Sequence, residues 1–246
     1  MLESSEIHVW VCHLDEISEK RLMRTCYPLL NRDEQNRYHR FRFDVDRKRF
    51  LTGRALLRTT LSKYTGTPPE QLSFRYNNYG KPEVLERCND VPLRFSLSRS
   101  EGLVVCAVML ENDIGIDIEY TNQPVEAVDI AAHFFSETEK QSLQQLSKAS
   151  VTREFFRYWT LKESYIKALG VGLSLSLDSF SFDIADLEHI RISFDDKTAD
   201  IPDSWRFFQR CLAEDYILAI SAKVGSKDDV QVKILECPIT GNRIGW

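Results

Sequence analysis

The chain has 246 residues, of which 43% are hydrophobic and 28% are charged, and its formal net charge at pH 7 is −5. This is the composition of an ordinary globular protein, so collagen-like, disordered and low-complexity classes are excluded. The sequence contains no uninterrupted apolar run of about 18 residues, which excludes a membrane-spanning helix. We therefore expect no membrane partner.

The N-terminus and the cysteines bear on the compartment. Residues 1–6 carry two glutamates and no basic residue, so they lack the basic flank and the apolar stretch of a secretory signal. The six cysteines form no C-x-x-C pair and lie mostly in apolar runs: Cys12, Cys26, Cys88, Cys106, Cys211 and Cys237. We expect reduced core thiols and a cytoplasmic protein. The five histidines are dispersed, which argues against a zinc site.

Charge is distributed unevenly along the chain. Residues 1–112 carry 18 basic and 15 acidic side chains, whereas residues 113–246 carry 14 and 22. The basic excess is concentrated in one segment, at Arg37, Arg40, Arg42, Arg47, Lys48, Arg49 and Arg54. Such a cluster fits a solvated helix face, a nucleic-acid contact or a site for a phosphorylated small molecule. The acidic total and the lack of a nucleic-acid-binding motif argue against a nucleic-acid partner.

The hydrophobic pattern predicts a series of helices and strands in the first half. Asn31 and Glu34 form a predicted capping box that opens a basic helix. A helix over residues 47–64 ends before Gly66 and Pro68. The predicted strands are 7–14, 72–76, 94–98 and 103–110, with a turn at 77–80.

The second half repeats this outline. It begins with a predicted strand at 114–119, followed by helices at 125–133, 137–147 and 152–169, and by strands at 173–183, 204–211 and 216–224. Each half thus has one long helix followed by strands. We predict an α+β fold made of two similar α/β subdomains related by pseudo-twofold symmetry, with the N-terminal subdomain at residues 1–112 and the C-terminal one at 113–246.

The strand at 114–119 departs from a simple apolar pattern. Side chains alternate between the faces of a strand, so Asp117 and Glu119 lie side by side on the face opposite the isoleucines. Gly115 on the same face leaves room for a close approach to the backbone. Adjacent carboxylates repel unless a cation lies between them, and Mg²⁺ commonly takes one or two carboxylates plus substrate phosphates. A solvated acidic face explains the same residues.

The helix at 152–169 carries a second unusual group. Lys162 falls within the apolar arc formed by Phe155 and Trp159, Glu163 lies at its edge, and Lys167 lies just beyond. Charged groups on an apolar face are unfavourable unless they are paired or bind a ligand. The alternative is a surface ion pair between Glu163 and Lys167, which are one helical turn apart.

Together these motifs resemble the 4′-phosphopantetheinyl transferase superfamily, in its Sfp-like group with two pseudo-symmetric halves. The resemblance covers about residues 7–224. No single motif is specific to this family, but the order in which the motifs follow one another is. The residues that carry it are Arg37, Phe50–Arg54, Gly80–Pro82, Phe95–Ser98, Gly115–Glu119, Trp159, Lys162–Ser164, Lys167 and Gly170.

The resemblance implies an enzyme of the holo-[acyl-carrier-protein] synthase type. Such enzymes transfer the phosphopantetheine arm of coenzyme A to a serine of an acyl or peptidyl carrier protein and release adenosine 3′,5′-bisphosphate. The carriers serve fatty-acid, polyketide or nonribosomal-peptide synthesis. By the same resemblance we expect a monomer that uses coenzyme A as co-substrate and Mg²⁺, with Mn²⁺ as an alternative.

Residue roles also follow from the resemblance. Asp117, Glu119 and Glu163 would hold the metal ion, and Glu163 would take the proton from the carrier serine. Lys167, with Lys162 nearby, would neutralise charge on the pyrophosphate, so these two lysines and Glu163 form the expected catalytic set. The nucleotide and phosphates of coenzyme A would contact the N-terminal subdomain, at Arg37, Arg54, Tyr76, Asn77, Asn78, Tyr79, Gly80, Lys81, Ser96, Leu97, Ser98 and Arg99.

Two residues depart from the family pattern. Arg99 stands where many relatives have histidine, and Ser96 replaces an asparagine. Arginine is longer than histidine and permanently charged, so the family's pyrophosphate contact does not carry over directly to Arg99. A non-catalytic relative that binds coenzyme A or a carrier protein is therefore the main alternative, and an unrelated Mg²⁺-dependent phosphohydrolase using Asp117 and Glu119 is another.

Overall fold

In the computed structural model, which describes residues 2–85, 92–195, 200–225 and 229–239, the chain divides into two units. Unit 1 comprises Met1–Asn77, Pro82–Glu111 and Val230–Trp246, and unit 2 comprises Asn78–Lys81 and Asn112–Asp229. Helices and antiparallel strands occur in both, which confirms the α+β class.

The helices are α1 (Glu19–Arg21), α2 (Arg32–Arg40), α3 (Asp44–Thr65), α4 (Ala127–Phe134), α5 (Glu137–Gln144) and α6 (Lys148–Leu169). The strands are β1 (Glu6–His13), β2 (Phe74–Tyr76), β3 (Pro82–Val84), β4 (Leu93–Ser100), β5 (Leu103–Leu110), β6 (Ile114–Tyr120), β7 (Phe180–Asp183), β8 (Arg191–Phe194), β9 (Trp205–Leu212), β10 (Tyr216–Lys223) and β11 (Gln231–Glu236).

Unit 1 is built around the apolar run of β5. This strand lies between β1 and β4 in a sheet of order β11-β1-β5-β4, and it is buried along nearly its whole length. The helix α3 supplies Phe50, Leu57 and Leu61 to the same core. It ends where Gly66 adopts a left-handed backbone conformation (φ 69°) that favours glycine.

Unit 2 is built around α6 and an antiparallel sheet of order β6-β10-β9. The register pairs Asp117 with Ala219 and Gly115 with Ser221, so these residues share one face of the sheet. Helix α6 lies against β6 and β10, and the hydroxyl groups of Ser164 and Ser221 are 2.7 Å apart.

The contact between α6 and β6 depends on a glycine. A Cβ atom built at Gly115 would lie 1.9 Å from the carbonyl oxygen of Ser164 and 2.4 Å from the amide nitrogen of Ala168. Both are helix backbone atoms that cannot move aside. The predicted close approach at Gly115 is therefore made by the protein's own helix, and this fixes the distance between strand and helix.

Most of the predicted elements are confirmed, and α3 and α6 begin a few residues earlier than expected. The predicted strand at 173–183 is wrong over its first part, because only Phe180–Asp183 is extended. Its leucine–serine alternation imitates a strand, but Ser174 and Ser179 each donate a hydrogen bond of 2.7 Å to a backbone carbonyl three residues earlier. Such local bonds favour turns over strands.

The last strand lies in unit 1, whereas the sequence division assigned residues 113–246 to one subdomain. Strand β11 pairs in parallel with β1, with Val232 opposite Ile7 and Ile234 opposite Val9. A parallel partner from the far end of the chain leaves no local turn signal in the sequence. The pseudo-twofold relation between the halves stays a prediction.

Two further expectations concern cysteines and membranes. Cys12, Cys26, Cys106 and Cys237 are buried, Cys211 is exposed, none of these five is in a disulfide, and Cys88 lies outside the described residues. Across the described parts of the chain, no helix combines the length and the apolar character needed to cross a membrane.

We predict that Gly115→Ala destabilises unit 2 by about 3 kcal/mol or more, because the new methyl group collides with helix backbone. Urea unfolding followed by the fluorescence of Trp159 and Trp205, both in unit 2, measures this.

The matched control is Gly53→Ala in the interior of α3. There the added Cβ would make ordinary contacts, 3.6 Å from Leu97 and 3.8 Å from Val104. Alanine also favours helix, so this variant should keep or raise stability, by up to about 1 kcal/mol. Equal stability for the two variants would contradict the close approach.

Candidate active site

The acidic strand and the charged helix meet at Asp117. Its carboxylate is 3% exposed and lies 2.6 Å from the ammonium group of Lys167, which projects from α6. The sequence left open a pair between Glu163 and Lys167 on the helix surface. In the structure Lys167 instead bridges the helix to the strand. The two predicted motifs are therefore brought together by an ion pair.

Glu163 lies one helical turn before Lys167 and is half-buried. Burial and the nearby charge of Asp117 raise the pKa of Glu163, and Lys167 opposes this shift. The effect of Asp117 shows that the two carboxyl groups are close enough to repel. A carboxyl group with a raised pKa is suited to accept a proton near neutral pH.

Glu119 is half-buried and follows Asp117 on the same face of β6, since alternate residues of a strand share a face. Its register partner is Ile217 of β10. Glu119 therefore lies on the same face of β6 that α6 packs against.

The predicted ligands of a metal ion are Asp117, Glu119 and Glu163. In the described ranges, no group of three or more His, Cys, Asp or Glu side chains is arranged to hold one. Asp117 and Glu163 nevertheless suit a hard cation, because their mutual repulsion raises the pKa of Glu163 and a cation would relieve it. Mg²⁺ needs only one or two carboxylates when substrate phosphates supply the other ligands.

Lys162 occupies a different environment from Lys167. Its side chain is fully buried, and its ammonium group lies 2.8 Å from Glu139 and donates hydrogen bonds of 2.7 Å to the carbonyls of Leu177 and Phe180. These contacts use all three N–H groups. Burial lowers the pKa of Lys162, and Glu139 opposes this.

Glu139 is held equally tightly. It is fully buried, completes a capping box with Ser136 at the start of α5, and accepts a hydrogen bond of 2.9 Å from the amide of Phe182 in β7. The pair with Lys162 therefore joins α5, α6 and β7. Lys162 and Lys167 are five residues apart, which turns them about 140° away from each other around the helix. The structure does not bring Lys162 to the group around Asp117.

A second charged cluster lies in unit 1. The pKa of the Arg99 guanidinium is lowered by partial burial and by the nearby positive charges of Arg37 and Arg49. The guanidinium of Arg49 is also 3.5 Å from Glu101, and that of Arg37 lies over the ring of Phe50. A partly buried guanidinium with two further guanidinium groups near it forms a suitable site for a phosphate.

Arg54 is turned away from this role. Its Nε atom donates a hydrogen bond of 2.6 Å to Glu34, the same carboxylate that accepts one of 2.8 Å from Arg58. Arg58 is fully buried and also contacts the carbonyls of Pro69 and Leu72. The capping box predicted at Asn31 and Glu34 is confirmed, and its glutamate neutralises part of the basic segment.

The predicted nucleotide-binding turn is placed in two environments. Tyr76 and Tyr79 are each 59% exposed, and Asn78 and Gly80 are also exposed. Lys81 instead donates a hydrogen bond of 2.6 Å to the carbonyl of Ala168, near the end of α6. A cation is favourable at a helix C-terminus, which explains this contact.

Four other residues are predicted to contact coenzyme A: Asn77, Ser96, Leu97 and Ser98. Asn77 follows β2 and is half-buried. Ser96 and Ser98 on β4 are buried, while Leu97 between them is half-buried and packs at the edge of the unit 1 core.

Comparison with known proteins agrees with this arrangement. Residues 113–221 match the model of the 4′-phosphopantetheinyl transferase superfamily, and residues 18–111 match that of the 4′-phosphopantetheinyl transferase N-terminal region. The chain is 38% identical over 173 residues to the 4′-phosphopantetheinyl transferase HetI of Nostoc sp., covering 70% of this chain and 72% of HetI.

Other relatives point the same way. A 4′-phosphopantetheinyl transferase of Bacillus subtilis is 38% identical over 164 residues, covering 67% of this chain and 70% of the relative. A solved structure, the holo-[acyl-carrier-protein] synthase of Thermotoga maritima, is similar over 47% of this chain and 65% of its own chain, at 16% identity with a TM-score of 0.34.

The class of protein is thus a group-transferring enzyme. The chain belongs to the 4′-phosphopantetheinyl transferase superfamily. The family resemblance seen in the sequence is confirmed.

Sequence reasoning missed two residues. Arg49 was counted in the basic segment but not in the site, because nothing local shows that it lies close to Arg99. Glu139 was not connected with Lys162, although a lysine on an apolar helix face signals a buried acidic partner.

We predict that Lys162→Met destabilises the protein by about 3 kcal/mol or more, because Glu139 is left buried without its cation. Adding Glu139→Gln should restore part of the loss, since the amide oxygen still accepts the hydrogen bond from Phe182. Urea unfolding measures both. A Lys162→Met protein with parental stability but no transferase activity would instead assign Lys162 to the reaction.

Proposed function

We propose that this protein transfers the 4′-phosphopantetheine group of coenzyme A to a serine of an acyl or peptidyl carrier protein. The observation that carries the proposal is the group formed by Asp117, Glu163 and Lys167, two repelling carboxylates with one cation, held where α6 packs on β6. Phosphoryl-type transfer requires mainly positioning and charge neutralisation.

Glu163 is the proposed general base. The raised pKa of its carboxyl group keeps it partly protonated at a higher pH than an exposed glutamate, so it accepts a proton more readily once ionised. It would take the proton of the carrier serine as the serine oxygen attacks the phosphorus atom that carries the pantetheine arm. The pyrophosphate P–O bond would break, and the ammonium group of Lys167 would balance the charge that develops on the leaving group, adenosine 3′,5′-bisphosphate.

Asp117 and Glu163 would hold a divalent cation, Mg²⁺ or Mn²⁺, against the pyrophosphate of coenzyme A, and oxygens of that pyrophosphate would complete the ligand set in place of the predicted third carboxylate, Glu119. A bound divalent ion polarises phosphoryl oxygens and orients the attack. Lys167 beside Asp117 already supplies one positive charge.

The arginine cluster of unit 1 is the proposed site for a phosphate of coenzyme A. Burial, and after it the positive charges of Arg37 and Arg49, lower the pKa of Arg99, and a phosphate dianion would relieve the repulsion among these cations. Arginine at position 99 thus suits phosphate binding in place of the histidine common in relatives.

We propose that the protein acts as a monomer, in the cytoplasm.

Transfer is tested directly by incubating the protein with apo carrier proteins, coenzyme A and Mg²⁺ and reading the intact mass of the carrier. We expect the gain of one phosphopantetheine group. Glu163→Gln and Asp117→Asn should each lower the rate about a hundredfold or more, because proton acceptance or charge placement is lost.

Glu188→Gln, at an exposed glutamate of the same unit, is the matched control and should transfer at the parental rate. Failure to modify any of several carriers would contradict the proposal. Calorimetry showing tight binding of coenzyme A without transfer would then favour a non-catalytic binding protein.

We further predict that Arg49→Gln weakens coenzyme A binding about tenfold to a hundredfold, which corresponds to the loss of one charge-assisted hydrogen bond. Calorimetry measures the dissociation constant. Arg40→Gln removes the same charge from an exposed position of α2 and should have little effect. Equal weakening by both variants would indicate only the net charge of the segment.

A further inference from the structure

Unit 1 contains a cavity that none of the proposed roles uses. Its volume is about 370 Å³, within the range of pockets that bind small molecules. It is lined by Leu2, His8, Trp10, Lys63, Tyr64, Leu110 and Leu235. Trp10 and Leu235 are register partners on β1 and β11, so the ends of the chain form one wall.

Three polar side chains of the lining are bonded to one another. The indole N–H of Trp10 donates to the hydroxyl of Tyr64 at 2.9 Å, and this hydroxyl lies 2.7 Å from Nδ1 of His8. The other nitrogen of His8 is 3.0 Å from Glu6, whose carboxylate also pairs with Lys233. The pKa of Glu6 is lowered to about 2, mainly by Lys233, so Glu6 is ionised and accepts from His8.

The protonation states of these groups determine which atom donates in each hydrogen bond. Burial lowers the pKa of His8, which favours the neutral ring. With its Nε2–H donated to Glu6, a neutral His8 accepts from Tyr64 at Nδ1. Burial raises the pKa of Tyr64 to about 12, so the hydroxyl remains protonated and donates. The polar groups thus satisfy one another, and the wall they form is a fixed aromatic surface.

The rim of the cavity carries a positive charge. The ammonium group of Lys63 lies 5.5 Å from the ring centroid of Trp10, and Lys63 is exposed. The other lining residues are half-buried leucines at positions 2, 110 and 235. An occupant must therefore have an apolar body, and charge complementarity at Lys63 requires a negative group at its outer end.

We propose that this cavity binds a planar aromatic monoanion, with its ring against Trp10 and Leu235 and its acidic group at Lys63. Rings of tryptophan and tyrosine favour aromatic ligands through stacked or edge contacts. Lys63 selects anions over cations. The site is independent of the transferase proposal, because none of its lining residues belongs to the carboxylate group or to the arginine cluster.

The experiment uses the full-length protein and three probes that share one naphthalene ring and carry a negative, a neutral and a positive substituent: 2-naphthoate, 2-naphthalenemethanol and 2-naphthylmethylamine. Binding is followed by NMR through the indole N–H signal of Trp10, assigned by its loss in Trp10→Phe. We expect a saturable shift of this signal with 2-naphthoate, a weaker affinity for the alcohol, and the weakest affinity for the amine.

Lys63→Gln tests the charge. It should weaken 2-naphthoate binding about twofold to fivefold, the range expected for an exposed ion pair, and leave the alcohol unchanged. Lys20→Gln, at another exposed lysine of unit 1, is the matched control and should bind like the parent.

Leu235→Phe tests the location by adding volume to the wall and should weaken all binding. Its folding is checked by the dispersion of the other NMR signals, and Lys63→Gln remains informative if it misfolds. No saturable shift of Trp10 at millimolar 2-naphthoate, or equal affinity for anion and amine, would overturn the proposal.

Discussion

The approach of α6 to β6 at Gly115 is the constraint on which the charged group of Asp117, Glu163 and Lys167 depends. Because no side chain separates the strand from the helix there, backbone atoms of Ser164 and Ala168 lie where a Cβ atom would be. Asp117 follows two residues later on the same face of the strand, and Lys167 precedes Ala168 on the helix. The short distance between backbones is what allows a short acidic side chain to reach the lysine across the gap.

A buried ion pair on the side of α6 that faces away from the sheet fixes the rotation of this helix about its own axis. Ser164 and Lys162 are two residues apart, so they point about 160° away from each other around the helix. Ser164 faces the sheet, and Lys162 is buried against Glu139 and two carbonyl groups. A buried ion pair contributes little net stability, but its geometry admits few alternatives. With both faces fixed, Glu163 and Lys167 are confined to the edge between them.

The sequence predicted helices and strands better than it predicted contacts between residues that are distant along the chain. Periodicity located α3, α6 and the strands around them, and the Asn31 capping box was read correctly, because these signals lie within a few residues of each other. Contacts across the fold left no comparable signal. The pairs of Lys162 with Glu139 and of Arg54 with Glu34 join distant segments, so nothing in the sequence spoke against the ligand roles that the family resemblance implied for both basic residues. Strand β11 escaped prediction for the same reason.

These reassignments sharpen the chemistry of the site. Lys162 and Arg54 each lie beside a buried carboxylate, so their charge is already balanced within the protein. Like charges lie close together at two places in the candidate site: the carboxylates of Asp117 and Glu163, which share the single cation of Lys167, and the guanidinium groups of Arg37 and Arg49 near Arg99. Repulsion between like charges is unfavourable in the absence of a ligand, and a fold retains it where a counter-charge is to be bound. A divalent cation would relieve the first repulsion and a phosphate the second, which is the combination that a metal-dependent transfer from a phosphorylated donor requires.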